Sequence, residues 1–275
     1  MRLSRLAVSL FVGLTLLVGP STFAQTATPD LTTDQIRDFL SKAKIIKSRD
    51  IGKGVTSPKR LTLTDGTFTH DAAFQSIDDK STMANLTGGR GATVELNFVD
   101  AYRYNLAAYA LASLVGLDPM MPVHVERRWD GRSGSLSWWV DTLMDEGERL
   151  KKKVNVPDPN DWNHQMYRMR VFAALTRDTD RNLGNVLITH QWKIMMIDFT
   201  RAFRLQPDLA SPKDLNHCDR ALLARIEALT KDSVKQSVKN NLTTIEIDAV
   251  MKRRDALVAH FKNLIAEKGE AEVLY

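Results

Sequence analysis

Apolar residues fall into two kinds of rhythm along the 275-residue chain. Between Thr33 and Ile46 they recur at helical spacing, at Ile36, Phe39, Leu40, Ala43 and Ile46, which predicts a helix ahead of the first sheet. From Lys47 to Ile77 the period shortens. The segment containing Gly52 and Gly54 leads into RLTLT (60–64), and the turn Asp65-Gly66 returns a second extended run ending in AAFQSI (72–77), a hairpin signal. Residues 79–93 are polar and glycine-rich and predict a mobile loop; Phe98 to Leu117 predicts a strong helix stopped at Gly116. VHVERRW (123–129), the turn Asp130 to Gly134 and SLSWWVD (135–141) predict a second hairpin.

Beyond that point the pattern turns helical. A charged stretch, DEGERLKKK (145–153), and Pro157 and Pro159 precede a helix predicted from about Asp161 to Thr176, with Trp162, Met166, Met169 and Phe172 spaced for burial. A polar loop, RDTDRNLGN (177–185), follows. NVLIT (185–189) and WKIMMID (192–198) predict a third hairpin, and from Asn216 onward the spacing is helical again. There is no internal repeat. The expected organisation is a leader at 1–24, a linker and leading helix at 25–46, a β-rich lobe at 47–143 and a mainly helical lobe at 144–275.

The first two dozen residues stand apart. Arg2 and Arg5 precede a 13-residue apolar run, Leu6 to Val18, and a small-residue ending, Thr22-Phe23-Ala24. That order is a secretory signal, too short for a spanning helix of about 20 residues. Cleavage is expected after Ala24, with Ala27 as second choice, giving an exported, periplasmic or secreted protein with no stable membrane anchor. Removing two arginines and no acid takes the net charge from +5 to +3, too slight a bias to point to nucleic acid. Cys218 is the single cysteine, which excludes an intrachain disulfide.

The chemistry concentrates in one loop and the hairpin after it. Asp180 and Asn185 sit five apart between a buried helix and an apolar strand, and Asp198 follows the next strand, so two carboxylates and an amide come to one end of a tight hairpin. Phosphoryl transfer asks for such a set: a carboxylate for the attacking hydroxyl, with an Asn and a second Asp for the metal that neutralises phosphate charge. Taken alone the spacing is also that of an Asx-turn cluster; the order of helix, loop, strand, hairpin and Asp is what favours the chemical reading.

DRNLGNV (180–186) and IDFTR (197–201) resemble the catalytic and metal-binding motifs of the phosphatidylinositol 3- and 4-kinase-like group, which includes HipA-type kinases and secretory-pathway kinases related to the Golgi casein kinase. Tyr104 to Tyr109, Gly116-Leu117 and Met121-Pro122-Val123 are similar to a helix and turn of that group. The resemblance implies an α+β, two-lobed protein-kinase-like fold that binds ATP or another nucleotide with Mg²⁺ or Mn²⁺ and passes a phosphoryl group to an unidentified protein or small-molecule acceptor. It implies Asp180 as the base, Asn185 and Asp198 as metal ligands, Gly52 and Gly54 over the phosphates, and Trp138 to Asp141, with Trp139 and Asp141, as the hinge at the base. In active kinases of this pattern a Lys and a Glu form an ion pair; here the matching residues are Gln75 and Asn105. Two neutral amides cannot neutralise phosphate, so the implied alternative is an inactive pseudokinase serving as a binding module, unless another cation such as Lys53, Lys59, Lys80 or Arg90 substitutes.

Other signals are read as structural. Gly131 to Ser135 lacks the final Gly of a nucleophile elbow and is a turn. The six histidines are scattered without metal spacing. Lys151 to Lys153 follow Glu146 and Glu148 as a solvated face, Trp138-Trp139 alternate across a strand, and Arg253-Arg254 are expected in surface ion pairs.

Overall fold

The computed structural model describes residues 31–52, 58–88 and 91–275, and the side chains of all of these except 82–97. The signal-peptide reading, Lys53, Gly54 and Arg90 therefore lie outside the described residues. Among those described, no helix is long and apolar enough to cross a membrane.

Helix α1 (Thr33–Lys42) starts at a capping box in which Thr32 and Gln35 satisfy each other's backbone N–H groups, and it buries Phe39 and Leu40. It ends four residues before the predicted Ile46. Ile45 and Ile46 are β-branched and favour the extended backbone, so Lys44–Asp50 becomes an edge strand, β1, paired antiparallel with β2 (Lys59–Thr64). β2 turns at Asp65-Gly66 into β3 (Thr69–Gln75), as the sequence indicated.

The stretch predicted as a mobile loop is instead a long hairpin. β4 (Asp78–Gly88) pairs along its whole length with β5 (Gly91–Ala101), and Gly88 faces Gly91 beside the turn. Glycines made 79–93 look like a loop, but they serve the reversal. Phe98 to Ala101 belong to β5, so α2 (Arg103–Val115) begins five residues later than predicted. Gly116 then ends it with φ +75°, a left-handed conformation that favours glycine.

β6 (His124–Trp129) and β7 (Arg132–Trp138) are joined by Asp130-Gly131 alone, both at positive φ, a tighter connection than the five-residue turn expected. The main sheet has the order β1-β2-β3-β7-β6. At Gly134 a Cβ would meet Gln75 O at 2.5 Å and the Phe74 ring at 2.6 Å, so this glycine lets β7 lie close against the end of β3. Gln75 is thereby fixed at the end of the sheet's central strand.

A second, small sheet follows, formed by β8 (Met144–Asp145), β9 (Val186–Ile188) and β10 (Ile194–Met196), with β9 in the middle. α3 (Glu146–Lys152) and α4 (Pro159–Thr176) pack against it; α5 (Arg220–Glu227) and α6 (Lys231–Val238) pack on α2 and on α7 (Thr244–Lys268), which also packs on α4 and α8 (Glu270–Val273). Asp158 caps α4, Pro159 takes its first position, and its buried face carries Trp162, Met169 and Phe172. One apolar core runs from Phe39 and Leu61 through Leu111 and Phe172 to Phe261. The fold is α+β, kinase-like and two-lobed.

One surface assignment is overturned. Arg254 does pair with Asp255, at 2.9 Å, but Arg253 is fully buried in α7. Its guanidinium donates to the carbonyls of Leu175, Arg204 and Gln206 at 2.7 to 2.8 Å, tying the end of α4 to the segment after Asp198. Burial lowers its pKa to about 10, so it remains charged. The helical spacing put Arg253 beside the apolar stripe without saying that carbonyl acceptors would meet it there.

Candidate functional site

α4 ends in the left-handed region at Arg177, and the chain enters the loop that carries Asp180 and Asn185. The loop's anchor is a pair that the sequence reading did not single out. Asp178, whose side chain has no solvent exposure, accepts from Arg181 Nε at 2.8 Å. The same guanidinium donates to Asn185 O at 2.9 Å and to Ile197 O at 2.7 Å, and lies 4.1 Å from the centre of the Phe199 ring. A buried carboxylate needs such a partner, and the partner's remaining donors hold the two chain segments of the site together. Arginine in a polar loop is too common for its sequence to reveal this.

The three residues predicted for chemistry are brought together. Ile197 N donates to Asn185 O at 3.1 Å, which places Asn185 beside Asp198, and Asn185 Nδ2 donates to the Asp180 carbonyl at 3.1 Å. Asp198 stands at φ +58°, a conformation that aspartate tolerates better than most residues. Thr200 Oγ1 and Gln75 Nε2 both donate to Asp198 Oδ1, at 3.0 and 3.3 Å. Burial raises the Asp198 pKa, the nearby Asp180 charge adds to this, and the hydrogen bonds from Thr200 and Gln75 oppose it.

These contacts bear on whether a cation fits. Among the described residues Asp198 Oδ2 and Asn185 Oδ1 accept no hydrogen bond, and the half-buried Asp198 carboxylate has no ion-pair partner there. No group of three His, Cys, Asp or Glu side chains among those residues forms a ready-made cage. One carboxylate, one amide oxygen and open positions suit Mg²⁺ or Mn²⁺, which keep waters and substrate oxygens in their shell.

The roof of the cleft holds the two amides. Asn105 Nδ2 donates to Gln75 Oε1 at 2.6 Å and to Ser135 Oγ at 3.1 Å, while Asn105 Oδ1 accepts from Phe199 N at 2.7 Å. The neutral pair reaches the Asp198 segment through both members.

At the hinge, Trp139 N donates to Asp71 O at 3.1 Å, and the Arg60 guanidinium lies 4.0 Å from the centre of the Trp139 indole. Arg60 is in turn bound to Asp71 at 2.5 Å. Burial pushes the Asp71 pKa up, but hydrogen bonds from Thr62 and Arg60 outweigh it and hold it below the ordinary value. A planar base would meet the guanidinium on that face rather than bare indole. Asp141 points away from the cleft chemistry: its side chain is 95% exposed and lies 3.6 Å from His190. Gly52 sits at φ +70° in the β1–β2 connection.

Asp100, at the end of β5, is the other residue that the sequence reading passed over. It is buried, its Oδ1 has no hydrogen-bond partner, and burial together with the Asp198 charge raises its pKa against a hydrogen bond from Thr200. Its one signal in the sequence was an acid closing an otherwise apolar run, NFVDA (97–101).

Solved structures with this arrangement of elements are kinases and their relatives. A structure of hydra Fam20 with sugar matches with a TM-score of 0.62 at 13% identity, covering 92% of this chain and 94% of that one. The Golgi casein kinase with Mn/ADP bound matches with a TM-score of 0.61 at 10% identity, over 88% and 78% of the two chains. The Helicobacter pylori proinflammatory kinase CtkA matches with a TM-score of 0.52 at 10% identity, over 83% and 98%. The likeness is in the fold. No family model and no curated protein matches the sequence.

Proposed function

We propose that this chain is an exported kinase-like phosphotransferase that uses a nucleotide with Mg²⁺ or Mn²⁺ to phosphorylate a hydroxyl acceptor. The observation that carries the reading is the Asp180, Asn185 and Asp198 constellation, held by the Arg181–Asp178 pair, with Asp198 Oδ2 and Asn185 Oδ1 left open. Export rests on the leader at residues 1–24.

In this reading Asp180 accepts the proton of the acceptor hydroxyl, whose oxygen forms the new bond to phosphorus as the bond to the departing nucleoside diphosphate breaks. Asn185 and Asp198 hold the metal, which supplies positive charge to the phosphate oxygens. Trp138 to Asp141 border the base, through backbone at Asp141 and through the Arg60–Trp139 stack, and Gly52 lies over the phosphates. The Mn/ADP bound by the Golgi casein kinase and the sugar held by hydra Fam20 name reasonable first ligands to try.

A second reading is favoured by one specific feature. Gln75 and Asn105 are joined by a hydrogen bond between two neutral amides, which themselves supply no positive charge, and this suits a pseudokinase that binds a nucleotide or a partner without transfer.

Thermal unfolding of residues 25–275 with and without ATP or ADP and Mg²⁺ or Mn²⁺, beside Asp198→Ala, tests the site. A ligand at a hundred times its dissociation constant stabilises by about 2.7 kcal/mol. The parent should shift and the variant should not; equal shifts would refute the metal assignment. Transfer of labelled phosphate to a sugar or a serine peptide then separates enzyme from pseudokinase.

A further inference from the structure

Phosphoryl transfer needs positive charge against the group being moved, and the Gln75–Asn105 pair supplies none. Of the lysines suggested by the sequence, the two among the described residues stand elsewhere. Lys59 is held by Asp50 at 2.5 Å on the first two strands, and Lys80 is exposed on the long hairpin opposite Val99.

Two arginines stand at the loop itself, and their surroundings differ. Arg181 is internal: its side chain is 8% exposed and its donors are turned to Asp178 and to backbone carbonyls. Arg201, three residues after Asp198, lies with Nη1 3.6 Å from Asp180 Oδ2 and keeps 19% exposure. Its guanidinium is also 5.3 Å from the centre of the Phe98 ring, a cation–π contact.

We propose that Arg201 is the cation that takes the place of the missing lysine, contacting the phosphoryl group as it moves to the hydroxyl held by Asp180. This deepens the phosphotransferase reading above and rests on it. A hydroxyl accepted by Asp180 and the phosphorus it attacks must both lie within about 3 to 3.5 Å of their partners. A guanidinium already at the Asp180 carboxylate reaches that space by small torsions of its own end. Guanidinium remains charged, binds phosphate oxygens in pairs, and is used in cis by other phosphoryl-transfer enzymes. With no anion present, Asp180 and Arg201 neutralise each other; an incoming phosphate draws Arg201 across and releases Asp180 to take a proton.

The test is thermal unfolding of the full chain with adenosine, Mn–ADP and Mn–pyrophosphate, for the parent and for Arg201→Gln, Arg201→Lys and Asp180→Asn. Arg201→Gln should weaken Mn–ADP and Mn–pyrophosphate about tenfold, the size expected for one charge-assisted contact, and leave adenosine unchanged. Arg201→Lys should recover part of the loss, and Asp180→Asn should tighten both phosphates because Arg201 loses one of the carboxylates that compete for it. Unaltered Mn–ADP binding in Arg201→Gln overturns the assignment. If that variant does not fold, unchanged binding in both Arg201→Lys and Asp180→Asn overturns it equally. A parent that ignores Mn–ADP but binds Mn–pyrophosphate through Arg201 would refute the nucleotide reading and keep the cation. A parent indifferent to both would refute the two together.

Discussion

On the floor of the cleft the polar groups are charged and depend on one another: Asp178 with Arg181, Asp180 with Arg201, and Asp198 half-buried and bonded by Thr200 and Gln75. On the roof, Gln75 and Asn105 are neutral, joined by one hydrogen bond and otherwise bonded to Asp198, Ser135 and the Phe199 N–H. The difference lies in what each half needs when the cleft is empty. A buried ion loses several kcal/mol of hydration and must find a partner, whereas a paired amide does not. The roof is therefore assembled without a ligand, while the floor keeps an ionisable group whose pKa desolvation raises, with the Asp180 charge adding to it and the Arg181 charge opposing it.

The sharpest way to break this contrast is at Arg181. Arg181→Met removes the partner of the fully buried Asp178 and frees two carbonyls, so urea unfolding should show a loss of about 3 to 5 kcal/mol. A loss as small as that from a roof variant would mean that the floor is not held by its charges.

The roof has its own sensitive point, in pH rather than in ion pairing. His124 on β6 is buried, and its Nδ1 lies 2.7 Å from Pro122 O, the geometry of a neutral ring that donates. Burial pushes its pKa down to about 4, against an ordinary value of 6.5, and the bond to Pro122 opposes this only in part. A depressed histidine adds stability that is full above the unfolded pKa and is lost as pH falls through the folded one. About 3 kcal/mol should therefore disappear between roughly pH 6.5 and 4. Urea midpoints at pH 7.5 and 4.5 should differ clearly in the parent and much less in His124→Gln; equal differences would place the acid sensitivity elsewhere.

Smaller effects separate the two amides. Asn105→Ala leaves the Phe199 N–H unpaired in the core and should cost about 1 to 3 kcal/mol, whereas Gln75→Ala removes a part-buried group and should cost less. The reverse order in thermal unfolding would mean that Gln75 is the anchor. Smallest of all, Asp141→Ala should change stability by less than about 0.5 kcal/mol, because its pairing with His190 is exposed. A larger loss, or a loss of nucleotide binding, would bring that carboxylate back into the site.

How far the chain could be read follows from the distances over which its signals act. Asp65-Gly66, Asp130-Gly131 and Gly116 declare their turns because backbone conformation there depends on one or two residues. Asp180, Asn185 and Asp198 were legible because a loop and one short hairpin bring them together, which needs no knowledge of distant elements. The opposition of Gln75 and Asn105 was legible only through the order of elements in a resembling family. The β4–β5 hairpin was missed because glycine and polar residues suit a loop as well as a strand whose ladder bonds supply the stability.

By itself, then, the sequence determined the alternation of strands and helices, the turn residues and the polar set for phosphoryl chemistry, all of them properties of contiguous stretches. Only the tertiary structure decided which charges are buried: Asp178 against Arg181, Arg253 among three carbonyls, Asp100 with an unpaired oxygen, and Arg201 beside Asp180. Burial of a charge is set by what packs over it from far along the chain, and residue type and periodicity do not encode that packing.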